Sequence, residues 1–450
     1  MAALHFTRNS ANRDGSGNDY YPFERAFGAT AFSLYSCTEA YLRMGFNDDK
    51  LVRFFCRRAR WIADHDEPGE IANHQAAAAL SLYNVYLITQ DSFYRDLAKV
   101  NIEKTLSMQS EEGWFKEYDG CDPGYNTWTI DFLAKYYQKS RDETLMPVLD
   151  LSVKFAKYFL HPDGSYGGTY GSRDTCNFFP HGFEILTKKF SEATWICDRY
   201  LQGILRGKQG KWNDDRTFGH HLENYLLAYL DFHEEATAVE NEEVNFQKYF
   251  PQAGIIVSSR DEYYLVLSLK KGGSFRLFRE KECIHSETGY IGRTGDGCIV
   301  VTNMIDDRAI EVNDGNAKVK GHFHQVKYLY SSSLKLVLFR LALLTLGRFS
   351  VTSLKLKALL QKLLIVDKHQ VPIAYERVFD WQDGLTVQDR IYRTKKINLK
   401  SLAIGTEYTA SYTAISDAYQ ETRLNPWIDI SNCAPEFNLD GELAVKRHFK

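Results

Sequence analysis

Several familiar signatures are missing from this sequence. Its eight cysteines are widely spread over 450 residues, and no two of them form a CxxC pair. Paired cysteines mark zinc sites and redox motifs, and dense ones mark disulfide frameworks. We therefore expect free, buried thiols. Lys and Arg are scattered and the formal net charge is -3, which argues against nucleic acid as a partner.

Long apolar segments are missing as well. The N-terminal stretch MAALHFTRNSANRDGSG has no apolar core of signal-peptide length, so the protein as numbered is expected in the cytoplasm. A preceding leader would instead send it to the periplasm or out of the cell. The run Leu334–Phe349 is apolar, but Arg340 interrupts it, and it is shorter than the roughly 20 residues of a membrane span. We expect buried core there rather than a transmembrane segment.

What the chain does have is length and aromatic side chains. Its 450 residues, 44% of them hydrophobic, exceed what one core usually holds, which predicts two domains. There are 28 Tyr and 7 Trp. Aromatic faces stack on sugar rings and Tyr hydroxyls reach polar ligands, although most aromatic residues serve the core.

Residues 20–233 show helical periodicity, with apolar residues three and four apart, as in KLVRFFCRRARWIADH. Between the helices comes a glycine, usually followed by an aromatic residue, as in EEGWFKEY and PDGSYGGTY. A repeat of about this length fits one helical hairpin per unit. About five hairpins predict an α/α toroid, complete or incomplete, over residues 1–237. The marker glycines, spaced by 52, 44, 51 and 46 residues, are Gly17, Gly69, Gly113, Gly164 and Gly210.

The pattern changes after about Ala238. Segments such as AGIIVSSRDEYYLVLSLKKGGSFRLF alternate β-branched and aromatic residues, and Gly, Asp and Asn punctuate them. This predicts an antiparallel β-sandwich over residues 238–450, and the whole chain is then an α+β multidomain protein. Within the β domain, residues 353–366 (SLKLKALLQKLLIV) predict an inserted basic, amphipathic helix. That helix would pack against the sheet or contact a membrane surface or a partner.

Polar residues at three places stand out. Asn73 and His74 precede the alanine run of GEIANHQAAAAL, where Asn73 could also cap the helix. Tyr125 of GCDPGYNTW lies one repeat further on, after a Pro-Gly turn that would expose it. In the predicted β domain, His322 and His324 of KGHFHQVKYL alternate to one face of a strand. An HxH pair can begin a structural zinc or calcium site, but this one alone is too little, and no cofactor is predicted.

A helical toroid followed by a β-sandwich, with this set of residues, resembles the heparinase II/III-type polysaccharide lyases and the related oligoalginate lyases. The resemblance covers nearly the whole chain in architecture. Its motifs are Asn73-His74, Tyr125 and the β-domain histidines. It implies β-elimination on a uronic-acid polysaccharide. That reaction removes a weakly acidic proton at C5, so the neighbouring carboxylate must be neutralised while a base and an acid act.

The resemblance also implies a role for each motif residue. Asn73 and His74 neutralise the substrate carboxylate, and Tyr125 acts as base, as acid or as both in turn. His322 or His324 completes the site from the β domain. A tyrosine with a pKa of about 10 needs nearby cations to serve as a base. Oligoalginate lyases also use a second tyrosine, for which the sequence offers no position.

Loop residues are expected to line a sugar cleft. The glycine-rich loop GSYGGTYGSRDTCNFFPHGFE lacks a P-loop motif, and its Arg173 could pair with a uronate or a sulfate group. His220 and His221 diverge by about 100° on a helix, so at most one faces the cleft. The predicted substrate-binding residues are Trp114, Glu117, Tyr166, Tyr170, Arg173, His181 and His221.

Three other functions stay open. A uronate C5-epimerase, as in the dermatan-type enzymes, uses the same proton abstraction and returns a proton to the opposite face. A glycoside hydrolase would need a carboxylate pair. A non-catalytic glycan-binding protein would keep the fold alone. The predicted partner of the lyase is an acidic polysaccharide or oligosaccharide, and the sequence predicts no oligomeric state. Acidic residues available to a hydrolase are Glu117, Asp119, Asp122 and Asp174.

Overall fold

The structure is a computed structural model of the full chain. It describes residues 1–67, 69–208, 211–212, 215–233, 245–326, 332–349, 352–353, 355, 369–410, 418–419 and 425–450. The helices of the first half are α1 (Ala2–Ser10), α2 (Phe27–Met44), α3 (Asp49–Ala63), α4 (Ala72–Thr89), α5 (Ser92–Leu106), α6 (Pro123–Ser140), α7 (Met146–Lys157), α8 (Pro180–Leu186), α9 (Ser191–Leu205) and α10 (Asp215–Leu230).

The even-numbered helices form the inside of a ring. Neighbours in space follow the order α2, α4, α6, α8 and α10, and Tyr35 of α2 donates a hydrogen bond to Glu223 of α10 at 2.8 Å. The odd-numbered helices pack outside them. Inner helices are enclosed by neighbours, which explains why α4 begins with an alanine run and why every residue from Pro123 to Tyr137 is buried. The predicted toroid of helical hairpins is therefore present.

The loops that precede the inner helices meet at one end of the ring. Tyr118 N donates to Glu70 O at 2.9 Å, and Ser172 N donates to Cys121 O at 2.9 Å. Close packing explains why glycine is found at two of the marker positions. Gly113 and Gly164 have φ of 101° and 89°, and a Cβ there would come within 2.4 Å and 2.5 Å of an outer helix or its loop. Only glycine combines that backbone conformation with so close an approach.

Two antiparallel sheets make up most of the second half. One has the order β4-β5-β6-β7-β8, and the other has the order β17-β15-β9-β10-β12-β13-β14-β18, with β11 beside β12. Short pairs lie in the helical half (β1 with β2) and between the halves (β3 with β16). The strands are β1 (Lys116–Glu117), β2 (Gly120–Cys121), β3 (Lys211–Trp212), β4 (Phe246–Phe250), β5 (Ile255–Arg260), β6 (Tyr263–Ser268), β7 (Ser274–Arg279), β8 (Glu282–Glu287), β9 (Gly289–Thr294), β10 (Ile299–Val301), β11 (Ala309–Asn313), β12 (Asn316–Val326), β13 (His369–Asp380), β14 (Leu385–Arg393), β15 (Leu399–Gly405), β16 (Ala418–Tyr419), β17 (Trp427–Asp429) and β18 (Glu442–Phe449).

The five-stranded sheet is buried on both faces. Ile256 and Leu265 pack toward the larger sheet, whereas Val257 and Val266 pack with the helices of the ring. Fully burying each such side chain contributes roughly 1.5–3 kcal/mol. This explains the near-continuous apolar runs of β5 and β6, which a sheet with one wet face would not show. The two halves therefore share one sheet as their joint, and the predicted α+β architecture is confirmed.

One apolar segment differs from its prediction. Buried core is predicted for the run Leu334–Phe349, but the run forms a surface helix, α11 (Ser333–Thr345), and the short turn after it. Leu343 is the buried residue of this helix, whereas Leu334 is 68% and Phe349 67% exposed. A second helix of the β half, α12 (Ala434–Asp440), packs on β15 and β18. In the described part of the chain, no helix is long and apolar enough to cross a membrane.

Two other predictions fall outside the described residues. The proposed domain boundary at 237/238 lies within 234–244, so it stays a prediction, although helices end at Leu230 and strands begin at Phe246. The basic helix predicted at 353–366 is outside them except for Ser353 and Lys355. All eight cysteines are free, as predicted, but only Cys37, Cys121 and Cys197 are buried; Cys283 is exposed and the other four are partly buried.

Candidate active site

The first turns of α4 and α6 bring the first two motifs to the loop end of the ring. Asn73 and His74 lie in the first turn of α4, and Tyr125 lies in the first turn of the neighbouring α6. The N-cap of α4 is Ile71, which makes no side-chain cap, so Asn73 does not cap this helix. Its side chain is therefore available for another contact. The two helix N-termini carry partial positive charge that favours an anion between them.

Asn73 makes that contact with a carboxyl group 44 residues further along the chain. Its Nδ2 donates to Glu117 Oε2 at 2.7 Å, and both residues are buried. Asn73 Oδ1 is buried and has no hydrogen-bond partner among the described residues. Burial, and then the nearby charge of Asp122, raises the pKa of Glu117 well above its usual value, against the opposing effect of Arg173. Burial thus favours the protonated form of the Glu117 carboxyl group over the ionised form.

His74 is held by a second buried carboxylate. Its Nδ1 lies 2.7 Å from Glu67 Oε2, and Glu67 is only 2% exposed while His74 is 22% exposed. With Glu67 ionised, Nδ1 carries the proton, and Nε2 is the ring nitrogen that Glu67 does not engage. The imidazole lies against Gly28 of α2, where a Cβ would come within 2.4 Å of Cε1. The edge of the ring meets Phe32 at 5.1 Å between centroids.

Tyr125 is placed by the cap of its helix. Asp122 caps α6 by accepting from Tyr125 N at 3.1 Å, and its other oxygen accepts from Arg173 N at 2.8 Å. The Tyr125 side chain is 7% exposed, so it is not the exposed turn residue that the Pro-Gly sequence suggested. Its ring is stacked 6.2 Å from Trp128, which stacks on Phe32 at 4.6 Å. A continuous aromatic layer thus runs from Tyr125 to His74.

Arg173 lies beside a tyrosine that sequence reasoning missed. Its guanidinium sits 4.0 Å above the ring of Tyr118, and its Nη2 donates to Asp119 at 3.4 Å. Tyr118 occupies the β1–β2 turn with φ of 59°, a strained conformation for a large residue. Burial, and then the nearby charge of Glu117, raises the pKa of Tyr118, against the opposing effect of Arg173. In the sequence, Tyr118 directly follows Glu117 and begins the turn YDG. Nothing in that local pattern distinguishes it from the other tyrosines.

The β half contributes a buried lysine that was also missed. Lys271, in the β6–β7 turn, is fully buried and donates a hydrogen bond from Nζ to Gly171 O. Burial lowers the pKa of Lys271 to about 8, against the attraction of Asp174 and Asp122. A Lys-Lys-Gly-Gly segment is typical of an exposed turn, and only the joint between the halves makes this one interior.

The two β-domain histidines differ in their surroundings. Between them Phe323 points into the core of the sheets, so both histidines lie on the other face of β12, although the pairing with β13 is irregular at this point. His324 is buried and its Nε2 lies 2.9 Å from Asp306, while His322 is partly exposed. Burial raises the pKa of Asp306, but hydrogen bonding by Gln370 and the charge of His324 hold it below its usual value.

Asp306, the hydrogen-bond partner of His324, is preceded by a residue that lies close to the helical half. Ile305 precedes Asp306, and a Cβ on Gly120 of the β1–β2 hairpin would lie 3.6 Å from Ile305. This hairpin also carries Glu117 and Tyr118. This part of the β half therefore lies against the β1–β2 hairpin.

The remaining predicted substrate contacts are buried. Trp114 Nε1 donates to Glu112 at 2.8 Å, Tyr170 bonds His161 at 2.8 Å, and His181 Nε2 lies 2.6 Å from Asp231. The hydrogen bond from His181 lowers the pKa of Asp231 to about 2. None of these side chains offers an open face to a sugar in this structure. All are at most 7% exposed: Trp114, Tyr166, Tyr170, His181 and His221.

Metal ligands are not grouped in the part of the chain that the structure describes. No cluster there has three or more His, Cys, Asp or Glu side chains placed to hold an ion. The pair of His324 and Asp306 supplies two such side chains, fewer than a structural zinc site needs.

Comparison with known proteins addresses the fold. The chondroitin AC lyase of Streptomyces coelicolor A3, solved with chondroitin sulphate, matches with a TM-score of 0.54 at 10% identity, over 90% of this chain and 59% of that chain. The chain has the fold of the α/α-toroid polysaccharide lyases. The resemblance suggested by the sequence is thereby confirmed for the architecture. This chain spans about three-fifths of that lyase.

Other solved structures match less well. Heparinase III matches with a TM-score of 0.42 at 11% identity, over 84% of this chain and 54% of that chain. An unsaturated glucuronyl hydrolase of Streptococcus agalactiae matches with a TM-score of 0.34 at 16% identity, over 42% of this chain and 58% of that chain. These similar structures are mostly enzymes that act on polysaccharides. No protein-family model matches the sequence, and no curated protein matches it.

Proposed function

We propose that the protein is a polysaccharide lyase that cleaves a uronic-acid polysaccharide by β-elimination. The observation that carries the proposal is the placement of Asn73-His74 and Tyr125 on the first turns of neighbouring inner helices. Both helix N-termini favour an anion between them, as a uronate carboxylate would be. The chondroitin sulphate bound by the similar lyase is a polysaccharide of this charge, and an acidic polysaccharide or oligosaccharide is the substrate class proposed here.

The reaction assigns one task to each group. His74, with Nδ1 on Glu67, would donate from a protonated Nε2 to the substrate carboxylate, and Asn73 Oδ1, which can only accept, would receive a hydroxyl group of the sugar. Neutralising the carboxylate makes the C5 proton removable. Tyr125 takes that proton as base and returns one to the departing O4 as acid, in turn. The C5–H and C4–O bonds break, and a C4–C5 double bond forms.

Two more groups fit the same reaction. Tyr118, under the Arg173 guanidinium, is the candidate for the second tyrosine that oligoalginate lyases use. His324 or the partly exposed His322 would close the site from the β half, and the exposure of His322 favours it for direct contact with a sugar. Arg173 would bind a uronate or sulfate group with the donors that Tyr118 and Asp119 leave open. Its Nε has no partner among the described residues.

A glycoside hydrolase is the second candidate, because burial raises the pKa of Glu117 and so favours its protonated form. Protonated carboxylic acids donate the proton to the leaving oxygen in glycosidases. The nearest second carboxylate, Asp122, is occupied as the cap of α6 and by Arg173 N and Thr175, so it is a poor partner for that acid. The lyase is therefore preferred.

One incubation distinguishes the functions. The protein is mixed with alginate, heparan sulfate, chondroitin sulfate and dermatan sulfate in deuterated water. New ultraviolet absorbance from a C4–C5 double bond supports the lyase. Deuterium at C5 without that absorbance identifies an epimerase, and new reducing ends with neither identify a hydrolase. Binding without any of these products would mark a glycan-binding protein.

A further inference from the structure

A long insertion interrupts a hairpin that does not need it. Strands β12 and β13 are antiparallel neighbours, and they pair as far as Gln325 with His369. Hairpins are commonly joined by two to five residues. Here residues 326–368 intervene, and α11 belongs to this insertion. Connections of this length inside a compact domain usually serve a function of their own.

The helix of this insertion has an unusual surface. One narrow side of α11 packs on the body of the protein, where Leu343 is 3% exposed and Phe339 meets Tyr21 at 5.8 Å between ring centroids. The other sides carry large apolar residues in water. A concentration of this kind marks a contact surface for a protein or a membrane. Exposed by 40% or more are Leu334, Leu336, Val337, Leu338, Leu341, Leu344, Leu346 and Phe349.

The insertion is strongly basic. Residues 326–368 contain eight Lys or Arg and one acidic residue, Asp367. On α11 and the turn after it, Lys335, Arg340 and Arg348 are exposed. The occupant of this surface must therefore accept apolar side chains and carry negative charge. A bilayer with anionic lipids has both properties.

We propose that α11 lies in the interfacial layer of an anionic lipid bilayer. Thirteen residues make a helix of about 20 Å, too short to cross a hydrocarbon core of about 30 Å but long enough to lie flat at its surface. The leucines enter the acyl boundary, while Lys335, Arg340 and Arg348 meet lipid phosphates. This surface is separate from the candidate active site and is independent of the reaction proposed for it.

The attachment of α11 to the ring gives the contact a consequence. Arg25 donates from Nη1 to Gly347 O and from Nη2 to Arg348 O, both at 2.9 Å. Arg25 lies two residues before the start of α2, whose Gly28 lies against His74. The helix that touches the bilayer is thus fixed to the same loop end of the ring that carries the candidate active site. Membrane binding would hold this end of the ring near the lipid surface.

Vesicle flotation with the full-length protein tests the proposal without any polysaccharide. We expect flotation with vesicles of phosphatidylcholine and phosphatidylglycerol (about 3:1) and at least about tenfold weaker binding to pure phosphatidylcholine. Binding should weaken with added salt. Substituting Lys335, Arg340 and Arg348 by Gln should weaken it by roughly fivefold per charge, the equivalent of about 1 kcal/mol each. The double variant V337E/L341E should abolish it.

A matched control uses another exposed apolar stripe. Leu222 and Leu226 of α10 are 41% and 56% exposed, so L222E/L226E makes the same chemical change elsewhere and should float like the parent. Circular dichroism and Tm show that each variant is folded. The proposal is overturned by equal binding to both vesicle types, by no binding, or by equal loss in the control. It is also overturned if V337E/L341E instead abolishes self-association in sedimentation without vesicles, because the occupant is then a second copy.

Discussion

Asn73 and Glu117 form a hydrogen bond of 2.7 Å inside the protein, at 0% and 3% exposure. The pair joins the first turn of α4 to the hairpin that precedes α6. Burial raises the pKa of Glu117 and so favours a protonated carboxyl group beside the amide, and the unpartnered Asn73 Oδ1 marks a place where a further donor would be stabilised.

The raised pKa of Glu117 predicts a pH-dependent effect on stability. The stabilisation is complete below about pH 4.3, where the folded and unfolded states both hold the proton, and it is lost as pH rises toward the folded pKa. Glu117→Gln does not titrate and keeps an oxygen for Asn73. Thermal unfolding should therefore give equal Tm values at about pH 4 and a higher Tm for the variant at about pH 8, because each pH unit between these pKa values costs the parent about 1.4 kcal/mol. A difference in Tm that stays constant across this pH range would contradict the raised pKa of Glu117.

Tyr125 predicts a loss of chemistry without a loss of fold. Tyr125→Phe removes the hydroxyl that is proposed to take and return the proton, which should lower kcat by about 10²–10⁴-fold. Continuous ultraviolet absorbance measures the rate, and Tm measures the fold. The matched control is Tyr83→Phe, in the C-terminal half of the neighbouring inner helix α4. Full activity in Tyr125→Phe would remove this residue from the mechanism.

Glu67 predicts an effect through the histidine that it holds. Glu67→Ala frees the imidazole of His74 to rotate, and a misplacement of about 1 Å at a reacting group costs on the order of 10²-fold in kcat/KM. Glu70→Ala is the control, because Glu70 pairs with Lys116 on the surface and both are exposed. We expect the control to stay close to the parent in rate and Tm. Equal losses in both variants would show a general effect of the loop.

Gly28 predicts a steric effect on the same ring. In Gly28→Ala the new Cβ would lie 2.4 Å from His74 Cε1, so the imidazole must move and kcat/KM should fall at least about tenfold. Gly219→Ala in α10 adds a Cβ into open space and should raise stability by up to about 1 kcal/mol. Kinetics and thermal unfolding of the two variants separate the clash from helix propensity. Unchanged kinetics in Gly28→Ala would mean that the His74 position is not needed.

The parts of the fold that sequence could predict are the repetitive ones. Helical periodicity and glycines such as Gly113 are local constraints, so they indicate the hairpins before any contact is known. Asn73 and Glu117 could both be named, but not as a pair, because the loops that join them meet only when the ring closes. His181 has the sequence context of a cleft residue and is instead bonded to Asp231, 50 residues away.

The prediction of buried core at α11 was wrong because burial, too, depends on contacts that form only on folding. The leucines of α11 predicted burial because leucine is usually inside, yet a sequence does not state whether a surface exists to cover them. Lys271 differs in the opposite direction, since a Lys-Lys-Gly-Gly turn is normally wet and here closes against Gly171. Both depend on how the halves meet, which no short pattern contains.

The five-stranded sheet between the ring and the larger sheet sets the mechanics of the protein. Tyr264 Oη donates to Tyr158 O at 2.6 Å, and Phe250 packs on Phe155 at 4.9 Å between ring centroids, so this joint is apolar, broad and pinned by hydrogen bonds. A joint of that kind makes a poor hinge. We therefore expect the candidate site to keep the shape that it acquires on folding, so that a bound chain would adapt to the protein rather than be enclosed by it.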